Sequence, residues 1–456
     1  PLADKSGIRR DVVDALAELE LTNVCYPGGN FVSGYHWQDG VGPREKRPTV
    51  RELAWQSIEP NQFGTDEFVE LCRELDWQPM LAVNLGTGTP EEARDWVEYC
   101  NAPAGTQYAD MRRANGNAEP HAVPLWCLGN EMDGPWQLGH VPADQYAIRA
   151  QQAAKLMKSV DRSIATIACG SSGITIPTYL EWDRAVLEYL GDSADYVSLH
   201  RYVGNCEDDT ASFLGVTNSI DRQIEDVDAA CRYVAARKKL KQRPYLCFDE
   251  WNVWYKTFEI GKMNGAGKFA PPIIEEVYNL EDALVVAGFL MSFIRHADVV
   301  KIANIAQLVN VIGPLLTRKD DLLKQSIFYA FKMLSSRKGG VSLQSTVDGS
   351  SYETENYGTV NYLDRAVTLD GDRLNLFLTN RSSSEAQTVR LSSDIAVGEV
   401  MDAEILHHED AKAANSFDAP DVVLSRPFDN IELGPHGPSL KLPPLSFVAA
   451  SLAVKE

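Results

Sequence analysis

The sequence predicts an α/β fold: a (β/α)8 TIM barrel followed by a C-terminal antiparallel β-sandwich. Three observations carry this prediction. In the first 340 residues, short runs of near-continuous Val, Ile, Leu and Ala alternate with longer amphipathic segments. That is the pattern of parallel strands covered on both faces by helices. Seven such strand–helix units follow one leading helix, Ser6–Leu19, which makes an eight-unit barrel short of its first strand. After Gly339-Gly340 the helical period stops, and short alternating runs separated by Gly, Ser, Asn and Asp begin. These read as a jelly-roll-like sandwich. The expected division is residues 1–338 for the barrel and 339–456 for the sandwich.

In order, the expected barrel strands are Leu21–Tyr26, Pro79–Asn84, Val123–Gly129, Ile164–Gly170, Tyr196–His200, Pro244–Asp249 and Val299–Ile305. The helices between and after them are Thr65–Leu75, Pro90–Cys100, Ala143–Ser159, Thr178–Leu190, Asn218–Lys238, Leu280–His296 and Leu322–Ser335. Thr89-Pro90-Glu91-Glu92 is a clear helix start, a capping residue followed by Pro and two acids. A doubly wound open sheet would instead need a phosphate-binding Gly pattern after an early strand. Tyr26-Pro27-Gly28-Gly29-Asn30 lacks that spacing and reads as a turn. Sandwich strands are expected at Thr359–Asp364, Arg373–Thr379, Gln387–Leu391, Glu399–Ile405 and Leu445–Leu452, with Glu409–Asp421 as an exposed loop. The strand between Leu21–Tyr26 and Val299–Ile305 is expected from a segment outside this sequence or from another chain.

The 456 residues carry a formal charge of −21 and a 44% hydrophobic content. That suits a sizeable core and argues against disorder. The acidic balance argues against nucleic acid and against an anionic membrane surface as partners. The longest mostly apolar run, Ala283–Ile294, has 12 residues, too few to span a bilayer. The chain opens on Pro1 with neither an initiator Met nor a signal-peptide pattern, so this end says nothing of export. Eight Cys without a CxxC or a Cys/His cluster give little support to a zinc site and favour buried, reduced thiols in a cytoplasmic enzyme.

Catalytic groups of a barrel sit where strands end. Those ends carry Asn30, Asn84, Asn130, Glu131, Asp133, His200, Tyr202, Glu250, Asn252, Asn304 and Gln307. Amides and carboxylates bind hydroxyls, and aromatic faces stack on sugar rings, so the lining suits a neutral polyol. Glu131 ends one strand and Glu250 ends the strand three units later, so the two face each other across the mouth. Such a pair is the minimum for glycoside hydrolysis. Taken alone, each Glu is equally explained as a solvated loop residue or a helix-start acid. Their position directly after apolar strands, with Trp126, Trp136, Trp251 and Trp254 nearby, favours catalysis. His200 is open between a satisfied core histidine and a partner of a catalytic carboxylate. Asp249, one residue before Glu250, is expected to point into the helix layer. No cofactor loop or metal cluster is read.

These motifs resemble the α-L-arabinofuranosidases of glycoside hydrolase family 51. The likeness rests on Tyr26-Pro27-Gly28-Gly29-Asn30-Phe31, on the stretch Trp126–Gln137 around Gly129-Asn130-Glu131, on Leu199-His200-Arg201-Tyr202 and on Asp249-Glu250-Trp251-Asn252-Val253-Trp254. Gly40–Pro48, Glu59–Thr65 and Ala303–Asn310 extend it through nearly the whole chain. The resemblance implies a retaining, exo-acting, cofactor-free hydrolase, intracellular and oligomeric, that acts on arabinose side chains of arabinoxylan, arabinan or their oligosaccharides. It implies Glu131 as general acid/base and Glu250 as nucleophile. It also implies that Asn30, Asn130, Tyr202 and Gln307 hold the sugar and that Trp55 and Trp254 shape its pocket.

The sequence departs from the family at Cys25, where an Arg beside the nucleophile is usual. Cys25 is expected either to leave Glu250 with a higher pKa and looser aim, or to be a small buried residue compensated nearby. The alternatives to this reading are a related furanosidase or endo-β-glycanase on the same scaffold, and a catalytically impaired carbohydrate-binding barrel.

Overall fold

The computed structural model describes residues 2–4, 7–257, 266–434 and 437–455. Seven parallel strands form one sheet in chain order: β1 (Asn23–Tyr26), β2 (Gln78–Ala82), β3 (Leu125–Leu128), β4 (Ala165–Ala168), β5 (Tyr196–Val203), β6 (Tyr245–Val253) and β7 (Val300–Ile305). Every one overlaps its expected run. β5 and β6 extend past theirs, so Tyr202 and Glu250 lie inside regular strand. The helices are α1 (Arg10–Ala17), α2 (Thr65–Glu74), α3 (Pro90–Asn101), α4 (Gln107–Ala114), α5 (Ala143–Val160), α6 (Glu181–Leu190), α7 (Thr210–Leu214), α8 (Thr217–Lys238), α9 (Leu280–Arg295) and α10 (Ser326–Ser335). α3 starts as its sequence requires: the Thr89 hydroxyl accepts from the Glu92 N–H at 3.1 Å, with Pro90 behind it. At α9, Asn279 and Asp282 cap each other reciprocally, a device worth about 1 kcal/mol.

The sheet curls around its own side chains. Met80, Ala82, Leu125, Cys127, Ile167, Cys247 and Ile302 meet inside it, with Val32 inserted from the loop after β1. Among the described residues no main-chain ladder joins β1 to β7. The Asn304 amide on β7 bridges them instead, donating to the Asn23 carbonyl at 3.2 Å and to its side-chain oxygen at 2.9 Å. The sheet is thus nearly closed, and an eighth strand is not among the described residues.

β8 (Leu315–Arg318) and β9 (Asp321–Lys324) form a hairpin where the helix Leu322–Ser335 was expected to begin. The run Leu322-Leu323 fits either period, and the turn at Lys319-Asp320 decides for the hairpin. α4 was not expected, because its sequence QYADMRRA is largely polar.

The C-terminal strands are β10 (Val341–Ser342), β11 (Ser351–Thr354), β12 (Gly358–Asn361), β13 (Leu363–Asp370), β14 (Arg373–Asn380), β15 (Gln387–Arg390), β16 (Val397–His407), β17 (Ser425–Pro427), β18 (Ile431–Gly434), β19 (Gly437–Leu442) and β20 (Ser446–Val454). A six-stranded sheet runs β10-β13-β14-β20-β16-β17, and a three-stranded sheet runs β15-β19-β18. The expected strand Thr359–Asp364 is split between β12, in a separate hairpin with β11, and β13.

Alternation decides the packing. Leu374, Leu376 and Leu378 face Leu440 and Leu442 of the smaller sheet, whereas Phe377, Phe447 and Ala449 join the core that runs into the barrel helices. Charges seal the same junction. Arg295 of α9 bonds Asp221 of α8 at 2.8 Å and Asp364 of β13 at 3.0 Å, and Arg381 meets Asp364 from the other side at 2.5 Å. The segment Glu409–Asp421 is irregular as expected, but it is not wholly exposed. Ala413 and Asn415 are buried, and Lys412 pairs with Asp208 and Glu281 at 2.6 and 2.7 Å. All eight Cys are free. Six are buried, Cys25 is half-buried, and Cys206 is exposed, against the expectation of burial.

Candidate active site

Glu131 does not end a straight strand. The chain leaves β3 through Gly129 at φ 96°, and Glu131 itself sits at φ 45°. For a residue with a Cβ this left-handed conformation is strained and is tolerated where geometry demands it. It turns the carboxylate over the barrel mouth while leaving only 8% of the residue exposed. Its Oε1 lies 3.0 Å from His200 Nδ1, and its Oε2 accepts the Trp136 indole N–H at 2.7 Å.

Glu250 reaches the same space by another route. The ladder between β5 and β6 is regular to Ser198↔Cys247 and resumes at His200↔Glu250, so β6 carries an extra residue in between. This bulge overturns the expectation for Asp249. Cys247 points inward, and so does Asp249 two residues on: it accepts from the Ser198 hydroxyl at 2.5 Å and lies 3.4 Å from His200 Nε2. The bulge then turns Glu250 inward as well. Its Oε1 accepts from the Tyr202 hydroxyl at 2.8 Å, and its Oε2 lies 3.6 Å from His200 Nδ1.

One oxygen each of Glu131 and Glu250 and a nitrogen of His200 all lie within 4.8 Å of one another. That separation belongs to the close, retaining geometry of about 5–5.5 Å rather than the wider inverting one of about 6.5–9.5 Å. Burial pushes the Glu250 carboxyl up to about 7; the Glu131 charge adds to this, while His200 and the Tyr202 hydrogen bond oppose it. Both nitrogens of His200 face carboxylates, which hold the ring well above its ordinary pKa against the opposing effect of burial.

The other expected residues surround this centre. Tyr202 and Trp254 meet edge to face at 5.3 Å between ring centroids. With Trp55 they pack on Ile273, Ile274, Ala306 and Ile312, forming one aromatic wall of the mouth. Glu52 fixes Trp55 by accepting its backbone N–H at 2.6 Å. Asn130 is buried, and its amide nitrogen has no hydrogen-bond partner, the state of a donor whose acceptor is a ligand. Asn30 is half-buried on the far rim at the start of a short 3-10 turn, Asn30–Gly34. Exposed Gln307 lies close by, since a Cβ added to Gly29 would stand 3.9 Å from its Nε2.

Two contributors escaped the sequence reading. Trp136 was noted only as a nearby aromatic, and Asp249 was assigned to the wrong face. A period-2 argument cannot see a bulge, whereas the Gly134-Pro135 turn before Trp136 was a readable sign that the chain folds back on Glu131. Cys25 packs, half-buried, on the interior cluster with Cys127 and Cys247, and among the described residues no arginine is hydrogen-bonded to Glu250, whose carboxyl is raised, in line with the first of the two expectations for Cys25.

Comparison with known proteins identifies the family. Residues 15–212 match the model of the α-L-arabinofuranosidase 1 domain, and residues 249–446 match that of the α-L-arabinofuranosidase C-terminal domain. An intracellular exo-α-(1→5)-L-arabinofuranosidase of Acetivibrio thermocellus is 42% identical over 92% of this chain and 85% of its own. An exo-α-(1→6)-L-arabinofuranosidase of Bifidobacterium longum is 39% identical over 98% and 89%. A solved family 51 α-L-arabinofuranosidase from Bifidobacterium longum superposes with a TM-score of 0.93 at 35% identity, covering 99% of this chain and 91% of that one. The chain belongs to the α-L-arabinofuranosidases of glycoside hydrolase family 51.

Proposed function

We propose that Glu131 and Glu250 perform a double displacement that releases terminal α-L-arabinofuranose with retention. The chain is an exo-acting glycoside hydrolase by its family; the residue roles are our reading. Glu250 attacks the anomeric carbon while Glu131 protonates the departing glycosidic oxygen. Glu131, now ionised, then takes a proton from water, which attacks the same carbon and frees Glu250. The observation that carries this is the approach of the two carboxylates within 4.8 Å. Asn130, with its unpartnered amide, and Asn30 and Gln307 on the rim serve the hydroxyls of the ring. The wall of Trp55, Tyr202 and Trp254 shapes the pocket.

The substrate class is arabinofuranosyl side chains or termini of arabinoxylan, arabinan and their oligosaccharides. Relatives named for (1→5) and for (1→6) linkages are equally similar in kind, so the shared chemistry is the terminal furanose rather than one linkage. In the same reading residues 1–338 form the catalytic unit and 339–456 its sandwich, and the enzyme works inside the cell as a homo-oligomer. No helix among the described residues is long and apolar enough to cross a membrane.

The test is a pair of variants assayed on an aryl arabinofuranoside with a good leaving group. Glu250→Ala abolishes turnover, by at least about 10⁴-fold. Glu131→Ala retains the first step, accumulates the glycosyl-enzyme, and is accelerated by azide. Wild-type rates from Glu250→Ala, or no azide effect on Glu131→Ala, would overturn the assignment.

A further inference from the structure

His200 is built into the site more deeply than a hydrogen-bond partner of one glutamate needs. Its ring spans two strands and meets three carboxylates. Nδ1 faces Glu131 at 3.0 Å and Glu250 at 3.6 Å, and Nε2 faces Asp249 at 3.4 Å. A neutral imidazole has one N–H, so one ring lone pair would point at a carboxylate. Only the doubly protonated ring satisfies both sides. Asp249 is itself held for this purpose. The Ser198 hydroxyl donates to its Oδ1 at 2.5 Å, and the Cys127 thiol approaches its Oδ2 at 3.7 Å. Both donors are neutral, and among the described residues His200 is the one cationic group within ion-pair distance of it. Asp249 lies below the two glutamates and has no role in the chemistry proposed above.

We propose that Asp249 is a positioning residue that keeps His200 a permanent cation between Glu131 and Glu250, so that the proton of the reaction moves on and off Glu131 alone while the imidazolium passes none. The inference rests on the assignment of Glu131 and Glu250 given above. Its logic is electrostatic. Two carboxylates this close repel, which by itself keeps one proton on the pair, and burial opposes ionisation of the other member as well. A fixed positive charge touching both carboxylates favours the singly protonated pair over the neutral one, so that Glu250 is ionised for attack while Glu131 keeps the proton it gives to the departing oxygen. Burial by itself would discharge the ring, but Glu250, Asp249 and Glu131 together hold His200 well above its ordinary pKa. The ring is also near Asp133, which follows Glu131 in the loop, and the Cys169 thiol at the end of β4. Of these, burial holds Asp133 near 6, so it joins the negative side only above that pH.

The experiment combines nitrogen-15 NMR of histidine-labelled full-length protein with the pH dependence of kcat/KM on an aryl arabinofuranoside. Subtraction of the His200→Gln spectrum assigns the ring. In the wild type its two nitrogens stay protonated from about pH 5.5 to 8.5. In Asp249→Asn the ring titrates inside that range. In the same variant kcat falls about tenfold with KM little changed, and both limbs of the profile rise by about one unit. The rise is the net of two opposed effects. Losing the Asp249 charge lowers the glutamate pKa values, but losing the nearer His200 charge raises them more. Asp249→Asn combined with His200→Gln is no worse than His200→Gln alone, which a merely structural Asp249 would not produce. If Asp249→Asn does not fold, Asp249→Ser is measured instead.

A wild-type ring that loses a proton below pH 7, unmoved limbs in a folded Asp249 variant, or additive losses in the double variant would each overturn the proposal. Failure of the catalytic assignment looks different: Glu250→Ala would then turn over substrate, whatever the state of the His200 ring.

Discussion

The ends of β3 and β6 deliver one glutamate each to the same point, and they do so by opposite means. β3 stops, and Glu131 rides a strained turn whose other partner, Trp136, is 51% exposed. β6 continues to Val253, and Glu250 is aimed from inside the strand by a bulge and by the buried ladder to β5. The difference matches the work proposed for each. A nucleophile must meet one carbon along one line, and strand plus Tyr202 gives fixed aim. An acid/base must serve a leaving group and then a water, and a carboxylate with an exchangeable partner at the mouth suits both. Here both oxygens of Glu131 accept hydrogen bonds. Entry of a leaving group would replace the indole on Oε2.

Three changes sharpen this contrast. Among changes that keep both glutamates, the largest effect is expected from Tyr202→Phe, which removes the hydroxyl bonded to Glu250 at 2.8 Å. A hydrogen bond to a charged group is worth about 1.5–3 kcal/mol, so kcat/KM should fall about 10- to 100-fold on activated and unactivated substrates alike. Equal activity in the phenylalanine variant would break the claim that the strand fixes the aim.

Glu250→Gln should stabilise the fold while abolishing catalysis. The Glu250 carboxyl is raised from 4.5 to about 7 in the folded protein, chiefly by burial. Between those values the folded state binds a proton that the unfolded state has released, so stability falls as pH rises through the window and stays low above it. At about 1.4 kcal/mol per unit, removing the charge should add on the order of 1–3 kcal/mol at pH 8 and almost nothing at pH 4. Denaturant unfolding at both pH values reads this. A gain that is the same at both would show that buried charge is not its source.

The smallest effect is expected from Trp136→Phe. It removes the 2.7 Å bond to Glu131 Oε2, and because a leaving group displaces that bond, the loss should be less than about tenfold. It should appear on substrates that need protonation and be absent on those with good leaving groups. Uniform loss on both, as for Tyr202→Phe, would mean that the two strand ends do not differ as described.

Much of this site was legible in the sequence for a simple reason. A doubly covered parallel strand must be a short apolar run, so the first polar residues after each run are the mouth of the barrel. That logic found all seven strands and brought Glu131, His200, Tyr202 and Glu250 to one place. It failed wherever regularity failed. Asp249 was misplaced because an extra residue between Ser198 and Glu250 breaks the period of two. The end of the hairpin strand Asp321–Lys324 was read as the start of the helix Leu322–Ser335 because so few residues cannot distinguish the two periods. His200 stayed open between two readings because its answer depends on three residues from other segments of the chain.

The bonds that tie Arg295 to Asp221 and Asp364, with Arg381 closing on Asp364, have a bearing on how the molecule fails. These groups are largely removed from water, and lifting the sandwich from the barrel would strand charged partners and bare Phe377 and Phe447 at once. A partly opened form costs more than either end state. Heat or a protease would therefore meet one object rather than two loosely joined ones. Damage that loosens the sandwich, though remote from any sugar, would be felt as loss of the whole enzyme.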